Sequence, residues 1–125
     1  MFLSLYQLIM EKKTLVQKLK KTVADPIQSA ELYYTVLSAI NNLNLTTREI
    51  QLIAFTAVKG NISYSNIRKE FCEKYNSSSA TINNIISKLK RMAIFVKEGS
   101  KVKLNPLITL NFENDIILQI NIIHG

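Results

Sequence analysis

The stretch SSSATINNIISKLKRMAIFVKEGSKVKL, Ser77 to Leu104, holds two periodicities in succession. In its first half Ile82, Ile85, Ile86, Leu89 and Met92 recur at helical spacing, which puts them on one face of a helix. Ser78 or Ser79 stands where a hydroxyl can cap that helix. In the second half the pattern changes to alternation. Phe95 to Lys97 and Lys101 to Leu104 read as two strands joined across Glu98-Gly99-Ser100, a glycine-containing hairpin loop, and Pro106 ends the run. Opposite the apolar stripe of the helix lie Thr81, Asn84, Lys88 and Arg91, flanked by Asn83, Ser87 and Lys90. No acid occurs from Asn76 to Lys97, and between Ile86 and Leu104 six cations stand against the single acid Glu98.

Upstream, further helices announce themselves by their ends. In LTTREIQLIAFTAVKG, Thr46 and Glu49 have capping-box spacing, Ile50, Ile53, Ala54, Ala57 and Val58 form a stripe, and Gly60 sits where a helix ends at positive φ. In ADPIQSAELYYTVLSAINNLN, Asp25 is a cap and Pro26 suits the first helical position. Ile27, Ala30, Tyr34 and Leu37 then share a face, and the helix fades at Asn41 and Asn42. NISYSNIRKEFCEKYN reads as a short extended piece followed by a helix capped by Ser65 and buried through Ile67, Phe71 and Tyr75. Phe2 to Thr22 has the apolar spacing of one long helix, although TLVQKLK also suits a short strand. At the other end, LITLNFENDIILQINII alternates around a polar turn at Glu113-Asn114-Asp115 and suggests a second hairpin, with Ile116, Leu118, Ile120 and Ile122 on one face.

Composition narrows the chemistry. The chain has 125 residues, 47% of them hydrophobic, and a formal charge of +7 from 16 Lys and Arg against 9 Asp and Glu. A core is affordable at that hydrophobicity, and the charge makes a polyanion the first partner to consider: nucleic acid, then an acidic membrane surface. One cysteine, Cys72, allows no internal disulfide and fits a reducing compartment; its simplest role is a small packing residue. One histidine, His124, and one cysteine far from it make neither a zinc site nor a nucleophile pair, and the scattered glycines form no phosphate loop. The N-terminal MFLSLYQLIMEKK places its charges after a short apolar run, the reverse of a secretory signal, and the run is too short to span a bilayer. The expectation is a cytoplasmic, non-enzymatic protein with no cofactor, no metal and no membrane partner.

From Leu45 to Pro106 the order of helix, short strand, helix, turn at Asn76 to Ser79, helix and basic hairpin resembles a winged helix-turn-helix domain, a scaffold of bacterial and phage regulators. The resemblance implies a mainly α fold with small antiparallel β elements. Residues 45–106 would be the winged domain, residues 1–44 an N-terminal helical extension that aids oligomerisation, and residues 107–125 a C-terminal hairpin tail. It also implies that Ser79 to Arg91 enters the major groove and that Lys97 to Lys103 lies along the backbone. The residue types agree with that implication. Asn and Thr can read base edges, and cations on a helix and adjoining hairpin suit phosphates. Hydroxyls at a helix N-terminus suit phosphates as well. The expected double-stranded DNA contacts are therefore Ser78, Ser79, Thr81, Asn83, Asn84, Ser87, Lys88, Arg91, Lys97, Lys101 and Lys103. The plain alternative for this face is solvation. Lys12, Lys13, Lys18, Lys20 and Lys21 are either a solvated helix side or a second phosphate strip.

Two functions stay open at this stage. One is a duplex DNA-binding transcriptional regulator; the Ile, Asn and Lys richness suggests an AT-rich genome such as many phages have. The other is a structural or adaptor protein of a phage particle or replication assembly, with the winged helix as a protein-interaction module. The apolar tail favours a homodimer, formed through the N-terminal helix and the tail, although the N-terminal helix of the same chain could equally cover it.

Overall fold

The computed structural model describes residues 25–124; the expected N-terminal helix and its lysines lie outside them. Four helices come first: α1 (Pro26–Ile40), α2 (Thr47–Lys59), α3 (Ser65–Tyr75) and α4 (Ser79–Arg91). A two-stranded antiparallel sheet follows, β1 (Phe95–Glu98) and β2 (Lys101–Leu104), and then one 3-10 turn, Pro106–Ile108. The described chain is thus mainly helical with a small antiparallel sheet, an α+β arrangement. No described helix is long and apolar enough to cross a membrane.

The local signals act where the sequence places them. The Asp25 carboxylate accepts from the Gln28 N–H at 2.9 Å, with Pro26 in the first turn. Thr46 and Glu49 form both halves of a capping box, and α2 ends on Gly60 at φ 94°. The α1–α2 connection turns through Asn42 and Asn44 at φ 53° and 54°, a conformation asparagine tolerates better than most residues. The start of α3 differs from expectation. Its cap position is Tyr64, with no side-chain cap, and Ser65 already lies in the helix. The reason is the buried Asn61, whose Oδ1 accepts from the Ser63 and Tyr64 N–H groups and turns the chain before a serine cap is needed.

The core forms around α2. Leu52, Ile53, Ala54, Phe55 and Thr56 are consecutive and all buried, so this helix is covered around most of its girth rather than along the single stripe its periodicity suggests. Ala30 and Tyr34 of α1 belong to the same core cluster as Phe71 of α3, Ile82, Ile85, Ile86 and Leu89 of α4, and Phe95 and Leu104 of the sheet. Residues 26–40 therefore share one core with the segment that follows. Phe55 meets Phe71 edge-on at 5.4 Å between ring centres, and Phe71 lies 4.7 Å from Tyr75. The Tyr75 hydroxyl donates to Glu31 of α1 at 2.8 Å.

The short strand expected before α3 does not form a ladder. Ile62 gives a single backbone bond to the Val102 carbonyl, and the Val102 N–H donates to the Ser63 hydroxyl at 2.6 Å instead of to a backbone oxygen. The second hairpin is also absent. The 3-10 turn takes the first two residues of the expected first strand, Leu107 and Ile108, with Asn105 as its cap and Pro106 at its start. Phe112 then turns inward to the rings of Tyr33 and Tyr34, at 5.8 and 5.6 Å, and the Tyr34 hydroxyl donates to the Ile108 carbonyl at 2.6 Å. Among the described residues, 115–124 have no strand partner.

Candidate nucleic-acid interface

Two junctions position α4. At its front, Asn76 closes α3 in the left-handed conformation at φ 52°, and the Ser77 N–H reaches back to the Cys72 carbonyl. The Ser78 hydroxyl then accepts from the Thr81 N–H at 3.2 Å and lies 3.0 Å from the Thr81 hydroxyl. At its rear, the Ile94 N–H bonds to the Leu89 carbonyl and the Ala93 N–H to the Lys90 carbonyl, the paired bonds of a Schellman motif. Ala93 occupies its left-handed position at φ 59°. Asn105 secures this corner: its side-chain amide donates to the Ala93 carbonyl at 2.9 Å, and its backbone N–H donates to the Ile94 carbonyl at 2.8 Å. Three residues, 92–94, thus carry the chain from α4 into the hairpin.

The hairpin itself pairs Phe95 with Leu104 and Glu98 with Lys101 around a two-residue loop, Gly99-Ser100. Gly99 takes φ 62°, which such tight loops require and glycine adopts without steric cost. Phe95 and Leu104 are buried at the base, while Lys97, Glu98 and Lys101 are exposed toward the tip.

The expected contact residues separate into two groups. Ser79, Asn84, Ser87 and Arg91 are exposed on α4, and Lys97 is exposed on β1; Lys90, which was not among the expected contacts, is exposed beside them. Other members are engaged within the protein. Ser78 and Thr81 are spent partly on the cap. Asn83 accepts from the Arg68 guanidinium at 2.8 Å, while the Arg68 Nε holds the Ile62 carbonyl at 2.9 Å. Lys101 places its ammonium over the Tyr64 ring, 5.5 Å from its centre, and Lys103 pairs with Glu98 at 3.2 Å. Lys88 is the most firmly engaged of them. Its Nζ lies 2.8 and 3.1 Å from the two oxygens of Glu49, a buried side chain of α2. Burial alone would raise the Glu49 carboxyl, but hydrogen bonds from Lys88 and Thr46, with the Lys88 charge, outweigh it and hold the group below the usual carboxylate value. The charge of Lys88 thus anchors α4 to α2 and is not a free cation on the outer face.

Sequence reasoning missed Arg68, Tyr64 and Glu49 as supports of this surface. Glu49 and Lys88 lie 39 positions apart, and no local spacing could pair them. Cys72 is half-buried and packs beside the core. No group of three or more metal-ligating side chains occurs among the described residues. Comparison with family models, with curated proteins and with solved structures finds no match to this chain.

Proposed function

We propose that this chain is a duplex DNA-binding protein of the winged helix-turn-helix type, acting as a transcriptional regulator. In this reading α3, the turn at 76–78 and α4 are the helix-turn-helix, α4 enters the major groove, and the β1–β2 hairpin is the wing on the phosphate backbone. One observation carries the reading: the exposed face of α4 is free of acids and presents Ser79, Asn84, Ser87, Lys90 and Arg91, three residues away from a hairpin bearing Lys97 and Lys101. Amides and hydroxyls at the front of the helix suit base edges, and cations at its rear and on the hairpin suit phosphates. The bond from Arg68 to Asn83 fixes how the two helices sit against each other, as a rigid reading head requires.

The test is a salt titration of binding to duplex DNA. Affinity should fall linearly on a log–log scale with salt, with a slope of about −0.9 per phosphate neutralised. Lys97→Ala or Lys101→Ala should flatten that slope by about one unit, whereas Asn84→Ala should change preference at one base pair by about 1–3 kcal/mol. Lys88→Ala should leave the slope unchanged, because its charge is already matched by Glu49. A folded protein that binds no duplex at low salt would overturn the reading and leave the module as a protein-interaction domain.

A further inference from the structure

The outer face of α4 is selective in what it can read. Ala80, Asn84, Ser87 and Arg91 recur at helical spacing, all exposed, directly opposite the buried isoleucine and leucine stripe. They are the residues that would lie deepest in a groove. The two neighbouring asparagines are not equivalent. The Asn83 Oδ1 accepts from the Arg68 guanidinium at 2.8 Å, which turns its carbonyl toward α3. Asn84 is exposed, and its amide has no partner among the described residues. Of the two, only Asn84 offers both its carbonyl and its NH2 group outward.

Guanine and cytosine find few readers on this stripe. Guanine is read by a cation, most often a bidentate arginine, and cytosine by an acid. The chain has three arginines. Arg48 donates to the Tyr75 carbonyl, and Arg68 is held by the Ile62 carbonyl and Asn83. Arg91 alone of them is exposed, in the last turn of α4. Lys88 is paired with the buried Glu49, and Lys90 also stands in the last turn. No acid occurs on α4. Ahead of its last turn, the stripe thus holds a methyl, an amide and a hydroxyl. Asparagine pairs bidentately with adenine through N6 and N7, and an alanine methyl packs on the thymine methyl.

We propose that the target of α4 is a run of A·T pairs, with Asn84 holding an adenine through its amide and Ala80 resting on a thymine methyl. The proposal rests on the duplex-binding reading and adds which bases that duplex presents. Ala80 and Asn84 are one turn apart, about 6 Å along the helix axis. Base pairs stack about 3.4 Å apart, so the two side chains meet the same short run. Ser87 continues the stripe and, as donor or acceptor, tolerates any base. Arg91 lies about 10 Å beyond Asn84 along the helix and suits a guanine or a phosphate at the edge of the run.

The test is selection of sites by the full chain from a random duplex pool, followed by single-group changes in the selected duplex. Selected sites should hold adjacent A·T pairs, with any fixed guanine only at one edge. Each adenine is then replaced in turn by 7-deazaadenine, which lacks N7. At one position binding should weaken roughly 2- to 12-fold, the worth of one hydrogen bond. In Asn84→Ala that replacement should have no effect, whereas Asn83→Ala should keep it in full. Uracil in place of the contacted thymine removes the methyl and should weaken binding about fourfold. Failure to bind any duplex at low salt would overturn the duplex-binding reading and this proposal together. Salt-dependent binding without A·T enrichment would overturn this proposal alone. So would A·T enrichment insensitive to 7-deazaadenine, since groove shape and not Asn84 would then be the reader. An adenine effect lost with Asn83→Ala and kept with Asn84→Ala would overturn it as well.

Discussion

Glu49 serves two elements at once. Its carboxylate returns to the Thr46 N–H at 2.8 Å to complete the cap of α2, and it receives the Lys88 ammonium from α4. Its folded pKa lies below the ordinary value, so the folded protein holds the ionised form more firmly than the unfolded chain does. The stabilisation is complete above the unfolded value, about 4.3, and is lost as pH falls through the lower folded value. Stability of the native chain should therefore drop on going from neutral pH to about pH 3, in part through this group. Glu49→Gln keeps an oxygen for the cap but loses the charge. It should cost about 1 kcal/mol at neutral pH, discounted because Lys88 is partly solvated, and it should show a shallower pH dependence in urea unfolding. Identical pH profiles for the two proteins would show that this ion pair contributes nothing.

At the scale of elements, the join between α4 and β1 decides how the hairpin is aimed. The Schellman bonds and the Asn105 amide fix the corner in a conformation that costs an alanine more than a glycine, since Ala93 stands at φ 59°. Ala93→Gly relieves that cost but gives the unfolded chain more freedom. The net expectation is a gain of about 0.5–1 kcal/mol in thermal or denaturant unfolding. If the hairpin acts as a wing, DNA affinity should follow its orientation rather than stability. Ala93→Gly should then leave affinity near that of the parent, because the corner is held by the same hydrogen bonds. A destabilised Ala93→Gly protein would show that the alanine methyl packs usefully in this corner.

For the whole molecule, the C-terminal segment packs against the core through Phe112 and Ile116, and, among the described residues, 115–124 join no ladder. Phe112 is buried between Tyr33 and Tyr34, and the Tyr34–Ile108 hydrogen bond fastens the chain just before it. Phe112→Ala should cost about 3 kcal/mol in equilibrium unfolding and hasten proteolytic cleavage after the 3-10 turn. Unchanged cleavage there would mean that Tyr34 and Ile108 suffice to hold the segment.

The sequence by itself determined the elements whose causes are local. The Asp25-Pro26 start, the Thr46–Glu49 box, the Gly60 stop, the α4 stripe and the glycine loop of the hairpin each act over a few residues, and each is present. Periodicity says which side of a helix is buried but not against what. Only the tertiary structure therefore decided that Lys88 would meet Glu49, that Arg68 would hold Asn83, and that α2 would be enclosed on several sides. The tail shows the limit most plainly. Its alternation is a strand signal, but a strand exists only when an edge accepts its backbone. The 3-10 turn at Pro106 and the inward turn of Phe112 removed the edge that residues 107–112 would have offered.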